Sequence, residues 1–134
     1  MKLGIVVADF NSEITSKMEV SARKHAESKG ISVAELIHVP GVYDIPLAAK
    51  KLLKKKNIDA VVVLGAVIKG GTSHDEVIAN STANALTKLS LEFEKPVALG
   101  MSGPVMNRKQ AIERAEPYAK NAVEAAGKMF FALK

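Results

Sequence analysis

The sequence has 134 residues and a net charge of +5, with 48% apolar and 25% charged residues. The length predicts one domain, over residues 1–134, and the balance of residue types excludes a disordered chain. The absence of cysteine excludes a disulfide scaffold, a thiolate zinc site and a cysteine nucleophile. No apolar run reaches the ~18 residues of a membrane span, and no signal-peptide pattern follows Met1. We therefore expect a cytoplasmic protein without a membrane partner.

Strand-like and helix-like segments alternate along the chain. Continuous apolar runs predict strands at Leu3–Ala8, Ala60–Ile68 and Val97–Met101. Glu35 and His38 interrupt a fourth run, Val33–Val39, which is predicted to be a strand nearer a sheet edge. Helical patterns lie between and after them, at Ser12–Lys29, Ile45–Lys56, Ser73–Glu94 and Met106–Lys134. We expect Pro117 to divide the last of these into a short helix and a longer one.

This alternation predicts an α/β fold. Strands that are apolar along their whole length suit a parallel sheet covered on both faces. Right-handed crossovers then give a three-layer α/β/α sandwich. For its four parallel strands the simplest order is 2-1-3-4, as in flavodoxin-like folds. Ligands of such sheets bind beyond the carboxyl ends of the strands. That rule selects the loops Asp9–Ser12, Pro40–Asp44, Lys69–His74 and Ser102–Asn107.

Several functions that use this architecture do not fit the sequence. The first loop has no glycine, so the GxGxxG fingerprint of NAD and FAD binding is missing. A phosphoacceptor receiver domain would need an aspartate at the carboxyl end of the third strand, where Lys69 stands. The lysines of residues 50–56 are interpreted as a solvated helix face, because charge alone is weak evidence for a nucleic-acid partner. No RNA-binding aromatic motif accompanies them.

The first two loops offer groups for a planar ligand. Phe10 could stack on a heterocycle while Asn11 bonds its edge. Alternatively, Phe10 plugs the core and Asn11 only caps the following helix. The second loop is held rigid by Pro40, Gly41 and Pro46, and its backbone groups could bond the edge of the same ring.

The third loop has the features of an anion site. Gly70 and Gly71 follow a strand and precede a helix, so backbone N–H groups can turn towards a ligand beside the positive end of the helix dipole. It is not a Walker A loop, because Gly71-Thr72 stands where that motif requires Lys-Ser/Thr. The alternative is an ordinary turn in which Ser73 and Glu76 form a capping box.

His74 is the histidine that we predict to be functional. It lies in the first turn of that helix, where the dipole favours a neutral imidazole that can accept and return a proton, although Asp75 and Glu76 act against this. We interpret His25 and His38 as structural. No second ligand accompanies His74 at metal-binding spacing, so no metal site is predicted.

The loops together resemble the 6,7-dimethyl-8-ribityllumazine synthase family, in its short archaeal form. The resemblance covers nearly the whole chain, in the segments Asp9–Asn11, Pro40–Ala48, Leu64–His74 with Asn80, Lys95–Gly100 and Gln110–Ala115. It implies condensation of 5-amino-6-(D-ribitylamino)uracil with 3,4-dihydroxy-2-butanone 4-phosphate, with release of phosphate and water. This is the penultimate step of riboflavin biosynthesis, and it needs no cofactor or metal.

The resemblance also implies roles for individual residues. Contacts with the pyrimidine and its ribityl chain fall on residues at the strand ends and on one strand residue: Phe10, Asn11, Val42, Tyr43, Asp44, Val67, Ile68, Lys69 and Leu99. Phosphate contacts fall on Gly71, Thr72 and Arg114, and acid–base chemistry falls on His74. Arg114 would reach the phosphate from an adjacent subunit, which implies a homopentamer or a multiple of pentamers. Riboflavin synthase is a candidate partner.

The sequence departs from the bacterial pattern at two places. Leu99 stands where many bacterial members have an aromatic residue, so stacking could be one-sided. The segment Ser102–Arg114 is one residue longer, with Ser102-Gly103-Pro104 in place of a threonine-rich turn.

Other interpretations remain open from the sequence. Arg114 could be a surface residue paired with Glu113 or Glu116. The chain could be a divergent relative such as an archaeal-type riboflavin synthase, although that relative lacks the run Gly70–His74. It could also be a flavin-binding or shell-forming protein without catalytic activity.

Overall fold

The elements follow the predicted β-α order. The computed structural model describes residues 1–134. Its strands are β1 Lys2–Ala8, β2 Ser32–Val39, β3 Ala60–Ala66 and β4 Val97–Ser102. Its helices are α1 Ser12–Ser28, α2 Ile45–Leu53, α3 His74–Phe93 and α4 Arg108–Ala132, and a single 3₁₀ turn, Val42–Asp44, precedes α2.

The four strands form one parallel sheet in the order β2-β1-β3-β4, as predicted. One row across the sheet pairs Leu36, Ile5, Val62 and Ala98. Because all neighbouring strands are parallel, the carboxyl ends of all four strands lie at the same edge. The loops that follow the strands therefore meet there, which positions the site.

The continuous apolar runs are explained by burial on both faces of the sheet. Alternate residues of β1 point to opposite layers: Ile5 and Val7 pack towards α1 and α4, whereas Val6 and Ala8 pack towards α2 and α3. All residues of β3 are buried. A strand covered on both sides has no polar face, which is why no polar alternation is visible in the sequence.

Small residues let α4 lie close to its neighbours. Ala111, Ala115, Ala119, Ala122 and Ala126 recur at helical spacing and are buried in the layer shared with α1. None of the helices combines the length and the apolar character that crossing a bilayer requires.

The expected break at Pro117 is wrong, because α4 continues through this residue. Proline removes the N–H that would bond the carbonyl of Glu113, but Glu113 is exposed and water can reach that carbonyl. The hydroxyl of Ser21 donates to the carbonyl oxygen of Glu116 at 3.2 Å, which fixes the helix to α1 beside the proline. Packing of the alanine stripe thus outweighs the local cost of about 3 kcal/mol.

Candidate active site

A cavity of about 470 Å³ lies at the carboxyl ends of the strands. It is lined by residues that follow β1 and β2, by the end of β3 and the loop after it, and by the first residues of α3 and α4: Phe10, Asn11, Gly41, Val42, Tyr43, Ala66, Val67, Ile68, Gly70, Thr72, His74, Asp75, Ile78 and Arg108. Its size suits a small organic ligand.

Phe10 presents its ring to this cavity. The side chain is 72% exposed, so the alternative that it plugs the core is wrong. Its backbone is nevertheless fixed, because the Phe10 N–H donates to the carbonyl of Pro40 at 3.0 Å and the Asp9 N–H donates to that of Val39 at 2.8 Å. The arrangement is an exposed aromatic face on a tethered loop, which suits stacking on a planar ligand.

The side chain of His38 supports the loop that carries Phe10. The Nδ1 atom of His38 lies 2.6 Å from Asp9 Oδ1, and its Nε2 atom lies 2.9 Å from Glu19 Oε1. His38 therefore connects β2, the first loop and α1. This contact agrees with the structural role expected for His38.

Asn11 does not cap α1 through its side chain, contrary to the alternative considered above. Its backbone is left-handed, with φ at 66°, and its Nδ2 atom donates to the carbonyl oxygen of Ala66 at 3.0 Å. This bond connects the loop after β1 to the end of β3. The amide is thus oriented at the cavity wall, with its Oδ1 atom available to a ligand.

The turn Val42–Asp44 forms another wall. Val42 packs closely on β3 because position 65 is glycine: a Cβ there would lie 2.7 Å from Val42 Cγ2. Tyr43 is 70% exposed and lines the cavity. Asp44 does not line it, since its Oδ2 atom accepts the N–H of Gly41 at 3.0 Å and stabilises the turn.

The loop between β3 and α3 presents free backbone donors. The N–H groups of residues 70–73 and of Asp75 have no partner in the protein. The capping box of Ser73 and Glu76, which was the alternative to an anion site, is absent, because the Ser73 side chain makes no capping bond. Instead, Thr72 Oγ1 accepts the N–H of His74 at 3.4 Å. Consecutive free N–H groups at a helix N-terminus form a favourable site for an anion.

His74 and Asp75 follow this loop but face different surroundings. His74 is exposed and lines the cavity. Asp75 is buried, and its Oδ2 atom accepts the N–H of Val105 at 2.9 Å.

His25 lies outside the cavity, on the surface shared by α1 and α4. Its Nε2 atom lies 2.7 Å from Glu124 Oε1. This ion pair, with Lys29 beside it, lowers the pKa of Glu124.

The segment between β4 and α4 is hydrogen-bonded to the residues that follow β3. The Val67 N–H donates to the carbonyl of Ser102 at 2.9 Å, and the Lys69 N–H donates to that of Met106 at 2.8 Å. The Ile68 N–H between them has no backbone partner. Val67, Ile68 and Lys69 are all predicted to contact the pyrimidine or its ribityl chain, and Ile68 is the one of them with a free backbone donor.

Comparison with known proteins agrees with this geometry. The model of the 6,7-dimethyl-8-ribityllumazine synthase family matches residues 1–134. The chain belongs to this family. It is 57% identical over 129 residues to the 6,7-dimethyl-8-ribityllumazine synthase of Methanoculleus marisnigri, covering 96% of this chain and 95% of that one. It is 54% identical over 134 residues to the synthase of Archaeoglobus fulgidus, covering 100% and 93%. The synthase of Methanocaldococcus jannaschii is 52% identical over 134 residues, covering 100% and 94%. The resemblance predicted from the loops is thus confirmed.

Not every residue predicted from the lumazine synthase resemblance lines the cavity of the single chain. The cavity brings together eight of them: Phe10, Asn11, Val42, Tyr43, Val67, Ile68, Thr72 and His74. Five lie outside its lining: Asp44, Lys69, Gly71, Leu99 and Arg114. Leu99 is 47% exposed on the edge strand β4, and Arg114 is exposed on α4.

Four lining residues were missed by sequence reasoning: Ala66, Asp75, Ile78 and Arg108. Ala66 falls within a predicted strand and Ile78 within a predicted helix, and Asp75 is considered only as a charge beside His74. Arg108 carried no motif signal, although it stands at the start of a helix that follows one of the four selected loops. That position could have marked it as a cavity residue.

Proposed function

We propose that this chain, as one domain over residues 1–134, condenses 5-amino-6-(D-ribitylamino)uracil with 3,4-dihydroxy-2-butanone 4-phosphate to give 6,7-dimethyl-8-ribityllumazine. As a family member, the chain is an enzyme of the transferase class. The observation that carries the proposal is the cavity, which combines an exposed aromatic ring, a loop of free N–H groups and an exposed histidine. These are the groups needed to stack a planar ring, hold a phosphate and move a proton.

The pyrimidine binds on the Phe10 side of the cavity. Phe10 stacks on its face, and the free Ile68 N–H bonds its edge. Asn11, held by Ala66, contacts the ribityl chain. The remaining pyrimidine and ribityl contacts come from the neighbouring walls and strand ends: Val42, Tyr43, Asp44, Val67, Lys69 and, from an adjacent subunit, Leu99.

The phosphate binds at the N-terminus of α3. Gly71 and Thr72 offer N–H groups that no protein acceptor uses, and Thr72 adds a hydroxyl. The partial positive charge of the helix end favours the dianion. Arg114 of an adjacent subunit adds a guanidinium, whose two parallel N–H groups match phosphate oxygens.

The chemistry consists of two carbon–nitrogen bond formations and one elimination. The 5-amino nitrogen attacks the ketone carbon, and loss of water gives an imine. A proton is then removed from the carbon skeleton, the C–O bond to phosphate breaks, and its electron pair leaves with the phosphate. The enol that is left takes a proton at its terminal carbon and becomes a ketone. Finally, the ribitylamino nitrogen attacks this new carbonyl, and loss of a second water closes the ring. His74, beside the phosphate loop, accepts and returns the protons.

The proposal includes assembly into a homopentamer or a multiple of pentamers. Large apolar side chains are exposed on several elements of the single chain: Leu47, Val77, Leu91, Leu99 and Ile112. Contact between subunits would bury such side chains. Riboflavin synthase, which consumes the product, is the proposed protein partner. A cytoplasmic location is proposed as well, since a cysteine-free composition is compatible with a reducing compartment.

Supplying both substrates and following lumazine absorbance together with phosphate release tests the function. The proposal predicts equal molar amounts of lumazine and phosphate, and no product when either substrate is omitted. Conversion of added lumazine to riboflavin would support an archaeal-type riboflavin synthase instead. Binding of lumazine or flavin without turnover would support a non-catalytic protein.

A further inference from the structure

The cavity contains a single arginine or lysine, Arg108. This residue begins α4, and its side chain is 51% exposed. Its guanidinium pairs with the carboxylate of Glu13 in the first turn of α1, which is 56% exposed. Glu13 comes two residues after Asn11, so the pair connects the pyrimidine side of the cavity to the start of α4.

The backbone before Arg108 is held at three points. The buried carboxylate of Asp75 accepts the Val105 N–H at 2.9 Å, and the carbonyl of Met106 accepts a bond of 2.8 Å from the Lys69 N–H. Asn107 forms a reciprocal capping box with Gln110: Asn107 Oδ1 accepts the Gln110 N–H at 2.9 Å, and Gln110 Oε1 accepts the Asn107 N–H at 3.0 Å. The start of α4 is therefore fixed to the phosphate loop.

Arg108 is the cation of the cavity that is available to bind an anionic ligand. Asp75 is the only carboxylate in the lining, and it is engaged with the backbone on its buried side. The partner of Arg108 is the exposed Glu13, and exposed ion pairs contribute little net stability. A phosphate dianion offers the guanidinium more charge than one carboxylate does, in a geometry that suits two parallel hydrogen bonds.

We propose that Arg108 exchanges Glu13 for the phosphate group of the substrate, within the same chain that supplies Thr72 and His74. This inference rests on the proposed function and adds a phosphate ligand to it. When the C–O bond breaks and its electron pair leaves with the phosphate, the guanidinium neutralises part of the charge on the leaving group. It then holds the inorganic phosphate product until release.

Steady-state kinetics of Arg108→Gln test this role, with Lys109→Gln as the matched control. Lys109 is the adjacent exposed cation on α4 and does not line the cavity. For Arg108→Gln we expect the KM for the butanone phosphate and the inhibition constant of inorganic phosphate to rise by about 10- to 100-fold, as for loss of a charge-assisted hydrogen bond. The KM for the pyrimidine stays unchanged, and Arg108→Lys gives an intermediate value.

Glu13→Gln gives the opposite expectation. It removes the competing carboxylate and leaves the guanidinium in place, so inorganic phosphate inhibits more tightly, by up to about 5-fold for an exposed pair. This variant decides the question if Arg108→Gln does not fold. A purely structural pair would instead make the Glu13 and Arg108 variants equally destabilised without a difference between the substrates.

The outcomes separate this inference from the proposed function. If the wild type and Lys109→Gln form lumazine but Arg108→Gln retains its KM and phosphate inhibition, the role of Arg108 is overturned and the proposed function stands. Unchanged or weaker phosphate inhibition in Glu13→Gln also overturns it. If the wild type forms no lumazine, the proposed function itself has failed.

Discussion

Replacing Phe10 with alanine separates binding from stability in this protein. The ring is 72% exposed, and the backbone of the loop is held by bonds from residues 9 and 10 to the carbonyls of Val39 and Pro40. Neither bond involves the side chain. The free energy of unfolding should therefore change by no more than about 0.5 kcal/mol, as for a surface substitution. A buried phenylalanine would instead lose about 3–5 kcal/mol.

The expected loss in binding follows from the stacked face. Removing an aromatic side chain on which a base stacks costs about 1–3 kcal/mol. The affinity for the ribitylaminouracil should fall by about 5- to 150-fold, while the affinity for the butanone phosphate, held at residues 70–73, changes little. Phe10→Trp keeps a flat face and should bind the pyrimidine nearly as well as the wild type does.

The assay is the KM of each substrate from lumazine absorbance, together with urea unfolding of every variant. Phe131→Ala is the matched control, because Phe131 is also an exposed phenylalanine, 59% exposed, and lies at the distant end of α4. Equal losses for both substrates in Phe10→Ala would refute the stacking role. A loss of several kcal/mol in unfolding free energy would refute the description of the ring as a free surface.

Three further predictions concern the anion loop and the helices. His74→Ala should lower kcat by about 10²–10⁴-fold with little change in KM, and mixing it with an inactive Arg114→Ala chain should restore some activity in a particle whose mass is a multiple of five chains. A fully active monomer would contradict the shared site. Asp75→Ala should lower the unfolding free energy by about 1–3 kcal/mol, since a loop N–H loses its acceptor; Asp75→Asn, which keeps an oxygen there, should lose less in urea unfolding. The hydrogen bond from His25 lowers the pKa of Glu124 from 4.5, so its stabilisation is complete above that pH and is lost as the pH falls through the lowered value. Melting temperatures of the wild type and Glu124→Gln should thus differ at higher pH and converge in acid, and a constant difference would contradict this linkage.

The sequence predicted the sheet well because burial on both faces leaves a direct signature. The strands β1 and β3 are continuous apolar runs. The order 2-1-3-4, predicted as the simplest one for this fold, is confirmed. Helix ends were also visible where a glycine was required: Gly30 after α1 has φ at 71°, which other residues rarely adopt. The prediction of a helix break at Pro117 was wrong, because the packing of the alanine stripe keeps α4 continuous despite the proline.

The site was predicted less completely because its details depend on long-range contacts. The side chain of Asn11 bonds a carbonyl 55 positions away, which no local capping rule indicates. Arg108 lines the cavity and pairs with Glu13 on another helix. Asp75 accepts the N–H of Val105, which is 30 positions away. Each of these contacts requires the sheet edge to be assembled first. The glycine-rich loop, by contrast, was recognisable because its anion chemistry depends on consecutive backbone groups.

A crystal structure with ribitylaminouracil and inorganic phosphate tests the central claim most directly. The claim is that one cavity, between the Phe10 loop and the N-terminus of α3, holds both reacting parts. The account predicts the pyrimidine ring against Phe10, the phosphate on the N–H groups of residues 70–73, and the imidazole of His74 between them. Binding of either ligand outside this cavity, in crystals of active protein, would contradict it.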